Sequence, residues 1–222
     1  MSEAPALPRG NRPLSTPLPR VDGGYRCILA DPPWAFDAYS GDGGTPHRTA
    51  EDHYATMKLA EIAALPVGEV AAKDCALFIW TVGSHLDQAL ALAAGWGFTF
   101  KTDAFYWVKT LARDEDGPDD LFEGPWARLK RARMSFGYWT RKQVEPCLLF
   151  TRGSPRRLTK SVRQLIAEPR REHSRKPDEQ YARIEALVDG PRLELFARQQ
   201  RPGWDAWGNQ TTRFTADASE AA

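Results

Sequence analysis

The sequence predicts an α/β domain: a mostly parallel sheet with helices on both faces. Two observations predict it. Short apolar runs recur from Tyr25 onward, and they are continuous rather than alternating, as in strands buried on both sides. Between several of them lie segments of 8–15 residues with helical character.

The elements follow in order. "YRCILA" (25–30) is the first predicted strand, and "KLAEIAAL" (58–65) is a helix stopped by Pro66. "ALFIWTV" (76–82) is a second strand. "SHLDQALALAAG" (84–95) is a helix with Ser84 as its cap and a glycine at its close. "AFYWVK" (104–109), "PCLLFTR" (146–152) and "QLIAEP" (164–169) are strands. "KPDEQYARIEALVDG" (176–190) is a helix with proline at its start, acids in its first turn and glycine at its end. "RLELFAR" (192–198) is the last predicted strand. Residues 1–20 hold five prolines and three arginines, so 1–22 are expected to form a disordered arm, with the domain over 23–214 and a tail at 215–222. Residues 110–136 are too long an irregular stretch to be a passive connection.

Composition narrows the function classes. A 222-residue chain that is 42% hydrophobic can bury one sizeable core. No apolar run approaches the roughly 18 residues of a membrane span, and "MSEAPALPRG" has no secretory pattern, so no membrane association and a cytoplasmic location are expected. Cys27, Cys75 and Cys147 stand singly in apolar stretches and read as small core residues; neither a disulfide framework nor a metal site is expected. The net charge of +1 hides a segregation: residues 128–176 contain 15 Lys/Arg against 3 Asp/Glu. That stretch suits a polyanion partner, or equally a solvated surface.

The run "CILADPPW" (27–34) carries the chemistry. In a parallel sheet, ligands bind beyond the carboxyl ends of the strands, where Asp31 is delivered. Pro32 and Pro33 fix φ and lack donors, and Asp31 before proline is held extended. The expected result is a stiff rim of acceptors beside the flat face of Trp34. Such a rim suits a planar ligand that stacks on Trp34 and points an amine at two acceptors. The exocyclic amine of adenine fits, and gripping its pyramidal geometry more tightly than its planar one is differential transition-state binding. Each piece also has a structural reading: Asp31 as a cap, the prolines as a strand stop, Trp34 as core.

"DPPW" after an apolar strand resembles the family of S-adenosylmethionine-dependent adenine-N(6) methyltransferases. The resemblance extends through "LFIWTVGSHLDQALALAAGWGF" (77–98), "WVKT" (107–110), "GYWTRKQVEPCLLFTRG" (137–153), "HSRKPDEQYARIEAL" (173–187) and "ELFARQQRPGWDAWGNQ" (194–210). It implies a Rossmann-like fold in which the catalytic motif precedes the cofactor motif, a permuted order. It also implies a catalytic set of Asp31, Pro32, Pro33 and Trp34, with Asp31 contacting the cofactor's amino group. Lys176 would hold the methionine carboxylate; Glu194, Phe196, Arg198, Asn209 and Gln210 would surround ribose and adenine. Lys109 and Glu145 would face the target nucleotide together with Trp34, or form an ordinary salt bridge. The expected function is methyl transfer from S-adenosyl-L-methionine to adenine N(6) in nucleic acid, DNA ahead of RNA. A non-catalytic nucleic-acid-binding subunit is the alternative, and homodimer and heterodimer both stay open.

Overall fold

The computed structural model describes residues 17–34, 57–110, 139–172 and 175–214. The bulk of the Pro-rich arm, nearly all of 110–136 and the C-terminal tail lie outside the described residues. The strands are β1 (Tyr25–Ala30), β2 (Ala71–Trp80), β3 (Thr99–Thr110), β4 (Val144–Arg152), β5 (Leu165–Pro169), β6 (Arg192–Leu195) and β7 (Asp205–Trp207). They form a seven-stranded sheet in the order β5-β3-β4-β2-β1-β6-β7. Every neighbouring pair is parallel except the two made by β4, so β4 alone is reversed. The expected mostly parallel α/β sheet is what the chain forms.

Side-chain alternation along each strand divides the core in two. Ile28, Ala30, Leu77, Ile79, Leu193 and Leu195 face one side, which is covered by α1 (Leu59–Ala63), α2 (Val67–Val70) and α3 (Leu86–Gly95). Cys27, Leu29, Phe78, Trp80, Phe105, Trp107 and Cys147 face the other. There α4 (Glu179–Leu187) buries Tyr181 and Ile184 at helical spacing. Each fully buried Ile, Leu or Phe contributes about 1.5–3 kcal/mol, so both layers are needed. The three cysteines are buried and unbridged, as expected of core residues.

Local chemistry departs from the sequence reading at several ends. Ser84 does not cap α3: the helix starts after His85, and the Ser84 hydroxyl pairs with His85 Nδ1 at 2.9 Å. The terminator of α3 is Gly97, not Gly95. At φ 85° it donates to the Ala94 carbonyl, and Phe98 donates to that of Ala93, which closes the last turn through a left-handed residue. β6 ends at Leu195, where the sequence suggested a run to Arg198, because Phe196 takes φ 62°. β7 follows a Pro-Gly turn and is three residues long, too short for a periodicity signal. Its edge is closed by Gly208, where a Cβ would come within 2.9 Å of the 196–197 backbone. Leu18, read as part of the arm, is 6% exposed and packs in the first core layer.

Candidate active site

Strand parity places the site. Asp31 follows Cys27 and Leu29 on the α4 side of the sheet; Lys109 follows Phe105 and Trp107, and Glu145 precedes Cys147, on that same side. Glu194 alternates with Leu193 and Leu195, which face the other layer, so it too points toward α4. Because β4 is reversed, its beginning lies at the edge where β1, β2, β3 and β6 end. Four charged positions from distant parts of the chain therefore converge on one rim.

Lys176, just ahead of α4, completes the group. Its ammonium lies 2.7 Å from Asp31 Oδ1 and 2.9 Å from Glu145 Oε1. The other Glu145 oxygen lies 2.6 Å from Lys109 Nζ. Burial disfavours charge on Lys176, but Asp31 and Glu145 outweigh it and hold its pKa above the ordinary lysine value. Burial likewise raises the Glu145 pKa, yet Lys176 and Lys109 prevail and hold it down at about 2. Two cations and two anions thus balance at the sheet edge. The salt-bridge reading of Lys109 and Glu145 is realised, and both Glu145 oxygens are engaged.

Beside this network is a cleft that opens to solvent. Of the expected cofactor residues it brings together Asp31, Lys176, Glu194, Phe196 and Arg198. Asn209 and Gln210 are not among its lining residues; Asn209 is exposed, and Gln210 accepts from Arg213 at 2.9 Å. The lining adds Trp80, Arg175, Gln180, Tyr181, Gln199 and Phe214, none of which the sequence reading singled out as a site residue. A signal for Tyr181 was present: it falls with Ile184 on the inward stripe of the "KPDE" helix. The Tyr181 hydroxyl donates to both Glu194 oxygens, at 3.0 and 3.1 Å. Burial pushes the Glu194 carboxyl up to about 7, with the Tyr181 hydrogen bond working against it and Asp31 reinforcing it. Gln180 accepts from the Trp80 indole, which sets the floor of the cleft.

The rim itself corrects two expectations. Trp34 does not present a stacking face. Its indole is 5% exposed, packs in the layer opposite the cleft beside His85, and donates to the Trp80 carbonyl at 3.3 Å. The carbonyls of Pro32 and Pro33 are not left without donors: they accept from the Trp34 and Met57 amides at 2.8 and 3.2 Å. Missing proline N–H groups and a buried, hydrogen-bonded indole together lock the backbone that carries Asp31. Among the described residues no group of His, Cys, Asp and Glu is placed to hold a metal ion.

Chemically, the arrangement offers separate anionic and cationic groups at one end of a cleft. A buried carboxylate with hydroxyl support and aromatic side chains line the rest. Known proteins are similar to this chain over most of its length. The Type II methyltransferase M.MunI from a Mycoplasma species is 33% identical over 211 residues, covering 86% of this chain and 78% of that protein. An MT-A70-like putative N(6)-adenosine-methyltransferase of Medicago truncatula is 30% identical, and the human N(6)-adenosine-methyltransferase catalytic subunit METTL3 is 29% identical. The chain spans only 26% and 28% of those two proteins. The MT-A70 family model matches residues 25–210, from the first strand to the end of the "WGNQ" turn. With the family match running through every strand of the sheet and every charged residue of the rim, the chain belongs to the MT-A70 family.

Proposed function

We propose that the chain methylates the exocyclic N(6) amine of adenine in nucleic acid, with DNA ahead of RNA. The observation that carries this is the meeting of Asp31, Lys176 and Glu194 in one cleft at the carboxyl edge of the sheet, inside an MT-A70 domain. The DNA preference is supported by the relative matched over 78% of its own length, a Type II methyltransferase. The N(6)-adenosine methyltransferases keep RNA as the second reading.

The cleft suits S-adenosyl-L-methionine as methyl donor. Lys176 and Asp31 offer a cation and an anion for an amino-acid tail, Glu194 offers an acceptor for ribose hydroxyls, and Phe196 and Arg198 lie beside it. When bound, that cofactor would supply an electrophilic sulfonium methyl. The protein's part is positioning. Asp31, on a backbone that two prolines hold stiff, would accept a hydrogen bond from the target amine. Trp34 acts beneath the rim, fixing its shape, rather than as a stacking platform. A base in duplex DNA would have to leave the helix to reach Asp31. The basic stretch 128–176 would hold phosphates, so binding should weaken steeply with salt. No described helix is long and apolar enough to cross a membrane, and a cytoplasmic location suits the reading.

The test is labelled methyl transfer from S-adenosylmethionine to duplex DNA, single-stranded DNA and RNA of one sequence. Incorporation into adenine, abolished by Asp31→Ala with an unchanged circular-dichroism spectrum, is expected. Cofactor binding with no incorporation into any of the three would point to a non-catalytic subunit.

A further inference from the structure

The Asp31–Lys176 ion pair lies in the wall of the cleft, and Glu145 sits behind it, outside the lining. Any ligand group that uses Asp31 or Lys176 must therefore deal with the pair itself. A lone anion arriving at Lys176 would pull it from Asp31 and leave that carboxylate unpaired in a largely buried place. A lone amine arriving at Asp31 would compete with Lys176 for the same oxygens. Removing one member of a buried pair is costly because it leaves the other charge uncompensated. A zwitterion avoids both penalties, since its two charges enter between the pair and each meets its opposite. Glu145 makes the exchange feasible. Its Oε1 already holds Lys176 at 2.9 Å and its Oε2 holds Lys109, so Lys176 keeps a partner while it parts from Asp31.

We propose that the Asp31–Lys176 pair is a charge-exchange lock, opened by the paired ammonium and carboxylate of an α-amino acid tail, with Glu145 as the positioning residue that retains Lys176 as it opens. The proposal rests on the methyl-donor reading of the cleft and adds a rule to it: the two charges of the tail are recognised as a unit. A nucleoside carrying neither charge leaves the lock closed and forfeits only the tail's own contacts. A nucleoside carrying the carboxylate alone opens it and strands Asp31, and one carrying the amine alone must compete with Lys176 for Asp31 without an anion to draw Lys176 away.

Calorimetric binding to the full chain tests this with four ligands: S-adenosylhomocysteine, its analogue without the α-carboxylate, its analogue without the α-amine, and 5′-methylthioadenosine, which lacks both. Each single deletion should weaken binding by roughly 100-fold. The doubly deleted ligand should lose far less than the product of the two single losses. Single losses that multiply would overturn the lock while leaving the cofactor reading intact. Failure of S-adenosylhomocysteine to bind at all would overturn both. Glu145→Gln should weaken S-adenosylhomocysteine by about tenfold or more and leave 5′-methylthioadenosine unchanged. An equal loss for the two ligands, or none for either, would remove Glu145 from the role.

Discussion

Glu145 and Glu194 are two carboxylates at one edge of one sheet, 7% and 8% exposed, and they behave as opposites. Glu145 is held at about 2 and Glu194 is pushed up to about 7, against an ordinary value of 4.5. Burial raises both. The difference lies in the partners: two ammoniums on Glu145, one neutral hydroxyl on Glu194. A charged donor stabilises an anion more strongly than a neutral one, and at low dielectric the gap widens. The comparison separates a region built to stay ionised from one poised to titrate, and its parts can be tested one by one.

The largest effect should come from Lys176→Met. It removes the one cation shared by Asp31 and Glu145, and urea unfolding should show a loss of roughly 3–5 kcal/mol. A loss below about 1 kcal/mol would mean that water, not Lys176, satisfies the two carboxylates.

Next is the pH dependence. Glu194 binds its proton more tightly folded than unfolded, so its contribution is present below 4.5 and lost as pH rises through about 7. The size is about 3 kcal/mol. Glu145 has the reverse sign, with stability present above 4.5 and lost as pH falls toward about 2. Unfolding free energies from pH 4.5 to 7.5 should therefore decline for the parent and stay flatter for Glu194→Gln. Parallel curves would refute the elevated pKa.

Tyr181→Phe is smaller. It strips the donor from both Glu194 oxygens, should cost about 1–3 kcal/mol, and should raise the Glu194 pKa further. Carboxyl carbon NMR titration checks the direction, and a downward shift would contradict the hydrogen bond. Lys109→Met should do least. Its side chain is 24% exposed and Glu145 retains Lys176, so a cost of about 1 kcal/mol is expected by the same urea measurement.

Much of the fold was legible because its signals are local. The "YRCILA" run became β1 without adjustment, and the capless start of α3 shifted a boundary without removing the helix. β7 was missed because three residues carry no period. Within the site, Asp31, Lys176, Glu194, Phe196 and Arg198 were legible as one set through the motifs that contain them. Asn209 and Gln210 belong to the same closing motif, follow β7, and are not among the residues lining the cleft.

The amino-acid sequence by itself determined the strands, the stiffness of the Asp31 rim, and a set of charges gathered by motif. These depend on near neighbours: proline's fixed φ, continuous apolar runs, helix punctuation. Only the tertiary structure decided which way Trp34 turns, that Lys176 closes on Asp31 and Glu145, and that two similarly buried glutamates sit on opposite sides of the ordinary carboxylate value. Those outcomes depend on strand order, on the reversal of β4, and on which partner reaches a charge from elsewhere in the chain, 145 residues away in the case of Asp31 and Lys176. Energies of that kind belong to pairs, and no residue carries its partner in its own identity.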